Sequence, residues 1–219
     1  MLALLHTSPV HTPAFDALGD SECPELVLRH LVCEELLVRA RAEGPGAVAG
    51  EVREAVVGAG RDGAGAVLCT CSTIGGVAEA AGQAAGVPVV RVDRPMAVAA
   101  VAAGRRIAVV AALDSTLGPT LALVEEEAAR AGRPVDVRTH VVAGAWERFE
   151  AGDREGYLGA VATAVDRITG ADVIVLAQAS MADAAARTAT RVPVLSSPRP
   201  GLRAAAALAV GNTASGCGR

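Results

Sequence analysis

Short apolar segments rich in valine and leucine alternate along this chain with longer stretches rich in alanine, glutamate and arginine. Eight of the apolar segments have the length of a strand, the first at residues 2–6 and the last at residues 192–195. Strands that alternate with helices build βαβ units with parallel strands. The apolar runs are continuous, which is typical of strands covered on both faces. We therefore expect an α/β fold of mainly parallel sheets flanked by helices.

One arrangement of strand, small polar turn, Ala-rich helix and Val-Pro-Val strand occurs twice. The first copy begins at Ala66 and reaches its second strand at Val87, and the second copy begins 107 positions later, at Val173. We interpret the repeat as an internal duplication, although two ordinary βαβ units of biased composition are the alternative. A duplication predicts two pseudosymmetric α/β lobes with a cleft between them. In such sheets ligands bind beyond the carboxyl ends of the strands.

Two proline-containing crossings mark the expected lobe boundary. The chain reads Asp-Arg-Pro at residues 93–95 and Ser-Ser-Pro-Arg-Pro at residues 196–200. We expect residues 1–94 with 199–219 to form the first lobe and residues 95–198 to form the second.

Arginine supplies all 20 of the strongly basic side chains, and the chain contains no lysine. Without lysine no Schiff base can form to pyridoxal phosphate or to a carbonyl substrate, and no Walker A lysine exists.

The net charge is −4, the arginines are scattered and aromatic residues make up 2% of the chain, so a nucleic-acid partner is disfavoured. No apolar run approaches the ~18 residues of a membrane span. The first five residues lack the basic region of a signal peptide.

The cysteine pattern indicates free thiols. The chain has five cysteines, an odd number for a disulfide framework, and we expect them to be reduced in the cytoplasm. The Cys-x-Cys pair has no matching second pair and the histidines show no ligand spacing, so no metal is expected. The residues concerned are Cys23, Cys33, Cys69, Cys71, Cys217, His6, His11, His30 and His140.

Cys71 is the residue that most directly suggests chemistry. It ends a predicted buried strand, and Ser72 or Thr73 can cap the helix that follows. Backbone N–H groups and the positive end of the helix dipole favour a thiolate there, so we expect its pKa below the free value of ~8.5. Thr73 could instead orient a substrate carboxylate. Cys69 lies deeper on the same strand face and is expected to be a small core residue.

Polar side chains also follow other predicted strands. Each could contact a substrate carboxylate, or could only cap the local loop or helix. They are His6, Thr7 and Ser8 after the first strand, Ser115 and Thr116 after the fifth, and Ser196 at the last.

Four segments carry a family resemblance. Residues 66–73, Ala-Val-Leu-Cys-Thr-Cys-Ser-Thr, resemble the strand–Cys–Asn–Thr motif of the aspartate/glutamate racemase superfamily, with Ser72 in place of Asn. Residues 172–180, Asp-Val-Ile-Val-Leu-Ala-Gln-Ala-Ser, resemble the second strand of that family, which normally ends in Gly-Cys-Thr. Residues 5–15 and 107–116 are similar to the opening segments of its two lobes. The order and spacing of these segments extend the resemblance over almost the whole chain.

The resemblance implies a two-lobe fold, a homodimer, and inversion of an amino-acid α-carbon without a cofactor. One cysteine thiolate takes the α-proton and a second thiol returns a proton on the opposite face. Cys71 matches the first cysteine, whereas Gln178 occupies the second position. Ala179 and Ser180 follow in substrate-binding positions. A glutamine amide does not shuttle protons at neutral pH, so this chain departs from the two-thiol scheme.

Three functions are compatible with that departure. Cys71 could act with another acid, such as Ser180, His6 or water, in an altered racemase. It could serve alone in a decarboxylase, a lyase or a cis-trans isomerase of a small dicarboxylic acid. The chain could also bind a carboxylate without turnover. We favour a cofactor-independent isomerase that acts on a small carboxylate or amino acid at the carbon next to the carboxylate.

Overall fold

The computed structural model describes residues 1–216, and it describes the side chains of residues 1–211. Cys217 lies outside the described residues. The strands are β1 (Leu2–His6), β2 (Leu28–Val32), β3 (Ala66–Cys69), β4 (Val89–Arg91), β5 (Arg106–Ala111), β6 (Asp136–Val141), β7 (Val173–Leu176) and β8 (Val194–Ser196). The helices are α1 (Thr12–Glu22), α2 (Glu34–Glu43), α3 (Ala49–Arg61), α4 (Ser72–Ala85), α5 (Arg94–Ala103), α6 (Leu117–Ala131), α7 (Ala145–Glu150), α8 (Arg154–Asp166) and α9 (Pro198–Gly216).

The chain divides into two compact units. Unit 1 contains Met1–Val92 and the segment that begins at Pro198, and unit 2 contains Asp93–Ser197. Unit 1 holds a parallel sheet in the order β2-β1-β3-β4, and unit 2 holds a parallel sheet in the order β6-β5-β7-β8. The two orders are the same when the strands of each unit are counted along the chain. This confirms the expected α/β architecture and its internal repeat.

The sheet of unit 1 is covered on both faces. Ala3 and Leu5 of β1 pack with Val52 and Val56 of α3 on one face. On the other face Leu2 and Leu4 pack with Phe15 of α1 and Leu202 of α9. Successive side chains of a strand point to opposite faces, so a strand buried on both faces is apolar throughout.

Unit 2 is built in the same way. On one face of β5, Ile107 and Val109 pack with residues of α5 and α6 such as Leu123. On the other face Ala108 and Val110 pack against α8, whose Tyr157 is 1% exposed. Helices therefore cover both faces of this sheet as well.

Two segments differ from the expectations from sequence. The sequence pattern at residues 181–188 predicts an α-helix, but residues 181–187 belong to a 3₁₀-helix at Ala179–Arg187. Its two buried side chains, Met181 and Ala184, are three residues apart, and that spacing keeps both on one face of a 3₁₀-helix. The sequence of residues 33–44 is compatible with an extended strand or with a helix, and residues 34–43 form α2, which buries Leu36 and Ala40 at the spacing of one α-helical turn.

No helix within residues 1–216 is both long enough and apolar enough to cross a membrane.

Candidate active site

Cys71 lies at the start of α4 in unit 1. It is the N-cap residue, its backbone is extended, and its side chain makes no capping hydrogen bond. Ser72 and Thr73 are the first two residues of α4 rather than its cap, and each is 7% exposed. The N–H groups of a first helical turn have no partner within the helix and carry the positive end of its dipole. A partly buried thiol and a set of N–H donors therefore lie at one helix start.

Cys69, two residues earlier, has the structural role expected from its position. It is fully buried in the unit 1 core and its Sγ donates to the Cys71 carbonyl oxygen at 3.6 Å. A buried thiol of this kind behaves as a small apolar side chain.

Arg91 ends β4 and lies against the first turn of α4. It is 5% exposed, and its Nη2 donates to the Ser72 carbonyl oxygen at 3.4 Å. Its backbone N–H donates to Glu79 Oε1 at 3.3 Å. A Cβ at Gly75 would lie 2.9 Å from the Arg91 Cβ, so only glycine fits there without displacement of the arginine. Arg91 was not among the candidates from sequence, although an arginine at the end of an apolar strand indicates a buried, hydrogen-bonded guanidinium.

His6, at the end of β1, is fully buried in a chain of hydrogen bonds. Its Nδ1 lies 2.8 Å from Thr70 Oγ1, and its Nε2 lies 2.8 Å from His30 Nδ1. His30 Nε2 in turn lies 2.9 Å from Asp16 Oδ1. Burial, with the nearby rings of His30 and His11, lowers the pKa of His6 to about 3. Both ring nitrogens of His6 are thus engaged within unit 1.

The two residues after His6 differ in exposure. Thr7 is 6% exposed, whereas Ser8 is partly buried and makes no capping hydrogen bond to the short 3₁₀-helix that follows it.

Gln178 follows β7 in unit 2. Its Oε1 accepts a hydrogen bond from the Ala112 N–H at 2.8 Å, while its Nε2 is buried without a partner. The glutamine is therefore anchored by one end of its amide and has a free donor at the other end. Ala179, the next residue, begins the 3₁₀-helix.

Buried polar atoms without partners gather after the strands of unit 2. Among the side chains of residues 1–211 there are four such atoms, each in a segment that closely follows a strand. They are Ser115 Oγ after β5, Trp146 Nε1 after β6, Gln178 Nε2 after β7 and Ser197 Oγ after β8. Nearly all buried polar groups in proteins are hydrogen-bonded, so four orphans at one end of a sheet require an explanation. A polar ligand that accepts hydrogen bonds would satisfy them.

Three further candidates of unit 2 have different surroundings. Ser180 Oγ lies 2.8 Å from the Tyr157 hydroxyl, and burial raises the pKa of Tyr157 to about 12. Thr116 is 3% exposed and its carbonyl oxygen accepts from Thr120 Oγ1 at 2.8 Å. Ser196 is the last residue of β8 and is partly buried. Ser180 is thus tied to the core of its unit, whereas Ser115 has a free hydroxyl.

A cavity of about 190 Å³ lies at the opposite end of the unit 2 sheet, and its lining includes Arg106, Asp136 and Arg167. Parallel sheets bind ligands at the carboxyl ends of their strands, so we do not assign the active site to this cavity. The described part of the chain contains no group of three or more His, Cys, Asp or Glu side chains that could hold a metal ion.

Comparison with protein families decides the classification. The family model described as Asp/Glu/Hydantoin racemase matches residues 12–212. The chain belongs to the Asp/Glu/Hydantoin racemase family. This confirms the resemblance that the sequence motifs carry. No curated protein sequence matches the chain.

Solved structures of racemases have the same fold. Glutamate racemase from Francisella tularensis in complex with D-glutamate has a TM-score of 0.73 at 12% identity, with 97% of this chain and 81% of that chain covered. Allantoin racemase from Klebsiella pneumoniae has a TM-score of 0.65 at 19% identity, with 98% and 88% covered. Arylmalonate decarboxylase has a TM-score of 0.59 at 19% identity, with 95% and 91% covered. At these identities the likeness concerns the fold.

Within this Asp/Glu/Hydantoin racemase fold, Cys71 and Gln178 have equivalent places. Cys71 follows β3, the third strand of its sheet, and Gln178 follows β7, also the third strand. The chain therefore has a thiol after one of the two equivalent strands and an amide after the other.

Proposed function

We propose that this chain is a cofactor-independent isomerase that moves a proton at a carbon next to a carboxylate, with Cys71 as the acid/base. The observation that supports this most is the partly buried Cys71 thiol at the N-cap position of α4. A helix start of this kind favours both a thiolate and a bound carboxylate. Membership of the racemase family supports the same reaction class.

The proposed chemistry is a proton transfer. The Cys71 thiolate removes the proton from the carbon, and the electron pair of the broken C–H bond moves into the carboxylate to form an enediolate. N–H groups of the first turn of α4 stabilise the charge that develops on the oxygens. An acid on the opposite face, such as Ser180 or a water molecule, then gives a proton to the carbon and inverts it. The proton held by Cys71 passes to solvent, which also restores the second acid before the next turnover.

We assign the substrate contacts to polar groups at the strand ends. In unit 1 these are Thr7, Ser8, Ser72 and Thr73, whereas both ring nitrogens of His6 are already hydrogen-bonded to other side chains. In unit 2 they are Ser115, Thr116, Gln178, Ala179, Ser180 and Ser196. The orphan Ser115 Oγ and Gln178 Nε2 support this assignment, because hydroxyl and amide donors suit a carboxylate.

The amide of Gln178 supports one alternative reaction, a decarboxylation that uses a single thiol. Its amide does not titrate at neutral pH, so a second thiol does not return the proton from the opposite face. A one-thiol decarboxylase needs no second thiol: a malonate-type acid loses CO₂, and the Cys71 thiol protonates the carbon of the resulting enediolate. The fold likeness to arylmalonate decarboxylase is consistent with this reaction.

Incubation with amino acids, hydantoins and malonate-type diacids in D₂O, followed by proton NMR, distinguishes these functions. Loss of the signal of the hydrogen next to the carboxylate, without loss of CO₂, supports the isomerase. Release of CO₂ with one deuterium incorporated supports the decarboxylase and contradicts the isomerase. Calorimetric binding of an acid without either reaction supports a carboxylate-binding protein and contradicts both enzymes.

The proposal includes a cytoplasmic location and a homodimer. Cys23, Cys33, Cys69 and Cys71 are free thiols, which are typical of a reducing compartment. Cell fractionation and light scattering test these two points, and a monomer in solution would contradict the dimer.

A further inference from the structure

We propose that Asp16, His30 and His6 form a proton-responsive positioning chain that sets the direction of the Thr70 hydroxyl, next to Cys71 in the sequence. The inference rests on the proposed function for its catalytic meaning, because only that function makes Cys71 reactive. Three side-chain hydrogen bonds within unit 1 form this positioning chain. They join Asp16 to His30 at 2.9 Å, His30 to His6 at 2.8 Å and His6 to Thr70 at 2.8 Å.

Each histidine uses both ring nitrogens, so with Asp16 ionised and His6 neutral the hydrogens have two consistent arrangements. In the first, His30 Nε2–H donates to Asp16 and His6 Nε2–H donates to His30 Nδ1. The bare Nδ1 of His6 then accepts from the Thr70 hydroxyl. Every bond has one hydrogen, and both imidazoles are neutral.

One added proton reverses the direction of two of these hydrogen bonds, the one between His30 and His6 and the one between His6 and Thr70. His30 then has N–H groups at both positions and donates to Asp16 and to His6 Nε2. His6 remains neutral but holds its hydrogen on Nδ1, from which it donates to Thr70 Oγ1. The Thr70 hydroxyl must then turn to another acceptor, and the Leu5 carbonyl oxygen lies 3.2 Å from Thr70 Oγ1. The Thr70 hydroxyl therefore donates to His6 Nδ1 in the first state and to the Leu5 carbonyl oxygen in the second.

The surroundings place the extra charge on His30 rather than on His6. His30 is partly buried, its ring side chain being 15% exposed, and it contacts the carboxylate of Asp16. His6 is fully buried, and its pKa is held at about 3 by burial and by neighbouring imidazoles. The titratable groups that face this chain are Asp16 from α1, His11 from the 3₁₀-helix at Pro9–His11, and the two histidines from β1 and β2.

Thr70 connects the hydrogen-bonded histidines to the end of β3. Its N–H donates to the Leu5 carbonyl oxygen at 3.0 Å, and Cys71 is the next residue. Thr70 is 4% exposed, and its hydroxyl contacts His6 Nδ1 and the Leu5 carbonyl oxygen. In the protonated state both its N–H and its hydroxyl bind the Leu5 carbonyl, which ties the end of β3 more firmly to β1.

Nitrogen-15 NMR of the histidine rings tests this inference, because ring nitrogens with and without a hydrogen have distinct chemical shifts. We expect the His6 hydrogen to move from Nε2 to Nδ1 as His30 gains its second hydrogen on acidification. In His30→Asn, whose side-chain oxygen can accept from His6 but cannot gain the proton, the His6 hydrogen stays on Nε2. The matched control His140→Asn, on β6 of unit 2, keeps the coupled change.

Asp16→Asn is the second variant, and its exposed side chain makes misfolding a small concern. Removal of the carboxylate moves the coupled change to lower pH, because a neutral amide stabilises the imidazolium less. A His6 hydrogen that keeps its position while His30 is protonated would overturn the inference. So would a His6 change that persists in His30→Asn.

The Thr70 hydroxyl provides a readout at Cys71. We expect a step in the alkylation rate of Cys71 by iodoacetamide, followed by peptide mass spectrometry, at the pH of the histidine change. The step disappears in Thr70→Val and remains in Thr70→Ser, and its persistence in Thr70→Val would contradict the link. The ring-nitrogen measurement does not involve Cys71, so its failure leaves the proposed reaction standing, whereas failure of deuterium exchange leaves the histidine chain standing.

Discussion

Gln178 accepts a hydrogen bond from the Ala112 N–H at 2.8 Å through its Oε1, and this bond leaves its amide nitrogen buried without a partner. The residue at the second cysteine position is therefore fixed in the fold and still has a hydrogen-bond donor to offer. A fixed amide can hold a carboxylate, but it cannot replace a thiol as a proton donor.

Replacement of Gln178 by cysteine should add the missing proton donor. We expect Gln178→Cys to raise deuterium exchange at the α-carbon of a small amino acid by roughly tenfold or more, since a positioned acid or base contributes about 10²–10⁴-fold. Gln178→Ala is the matched control and should show no gain. If the cysteine variant exchanges no faster than the alanine variant, Gln178 does not face the substrate.

Gly75 and Gly76 form a matched pair that tests the packing of Arg91. A Cβ at Gly75 would lie 2.9 Å from the Arg91 Cβ, whereas a Cβ at Gly76 would lie 3.6 Å from Nη1. We expect Gly75→Ala to lower the free energy of unfolding by about 1–3 kcal/mol through overpacking. Gly76→Ala should be neutral or stabilising by up to about 1 kcal/mol, because alanine is the better helix former. Urea unfolding checks both values, and equal effects would contradict the close contact with Arg91.

The hydrogen bond between Tyr157 and Ser180 should stabilise unit 2. A double-mutant cycle with Tyr157→Phe and Ser180→Ala is expected to give a coupling free energy of about 0.5–1.5 kcal/mol in urea unfolding. Additive effects would indicate that the bond contributes nothing. The same variants separate structure from chemistry: if Ser180 is the second acid, Ser180→Ala loses turnover that Tyr157→Phe retains.

Asp172 should make stability depend on pH in the acid range. Its hydrogen bonds from the side chain and the backbone N–H of Arg106 lower its pKa from 3.8 to about 2. A group whose pKa is lower in the folded state stabilises the fold above its unfolded pKa, and the contribution is lost as pH falls through the folded value. The stability difference between the native protein and Asp172→Asn should therefore be constant above about pH 5 and shrink between about pH 4 and 2. A difference that stays constant to pH 2 would contradict the shift.

Much of the architecture could be predicted from local patterns. The apolar pattern that begins at Leu2 and the helical pattern at residues 117–131 correspond to β1 and α6, which are followed by Thr7 and Gly132. Gly132, with φ of 62°, ends α6 in a conformation that glycine adopts readily. Cys71 could also be predicted as a candidate, since it sits between an apolar strand and a helix.

The contacts that complete the sites depend on residues far apart in the sequence. His6 meets Thr70 across 64 positions, and Ala112 meets Gln178 across 66. The pairing of parallel strands brings such residues together, and no local pattern in the sequence encodes it. The 3₁₀-helix at Ala179–Arg187 was missed for a different reason, since an alanine-rich segment has high α-helix propensity and only its packing shows the tighter turn.

Cys71 and Cys69 provide the most direct test of the central claim, because they lie two residues apart and differ in exposure. Solvent deuterium incorporation should be measured by NMR for Cys71→Ala and Cys69→Ala, with a substrate that the native protein turns over and with circular dichroism to confirm folding. We expect Cys71→Ala to be folded and to lose exchange by at least about 10²-fold, while Cys69→Ala retains it. Full exchange in folded Cys71→Ala would contradict the assignment of this thiol as the acid/base.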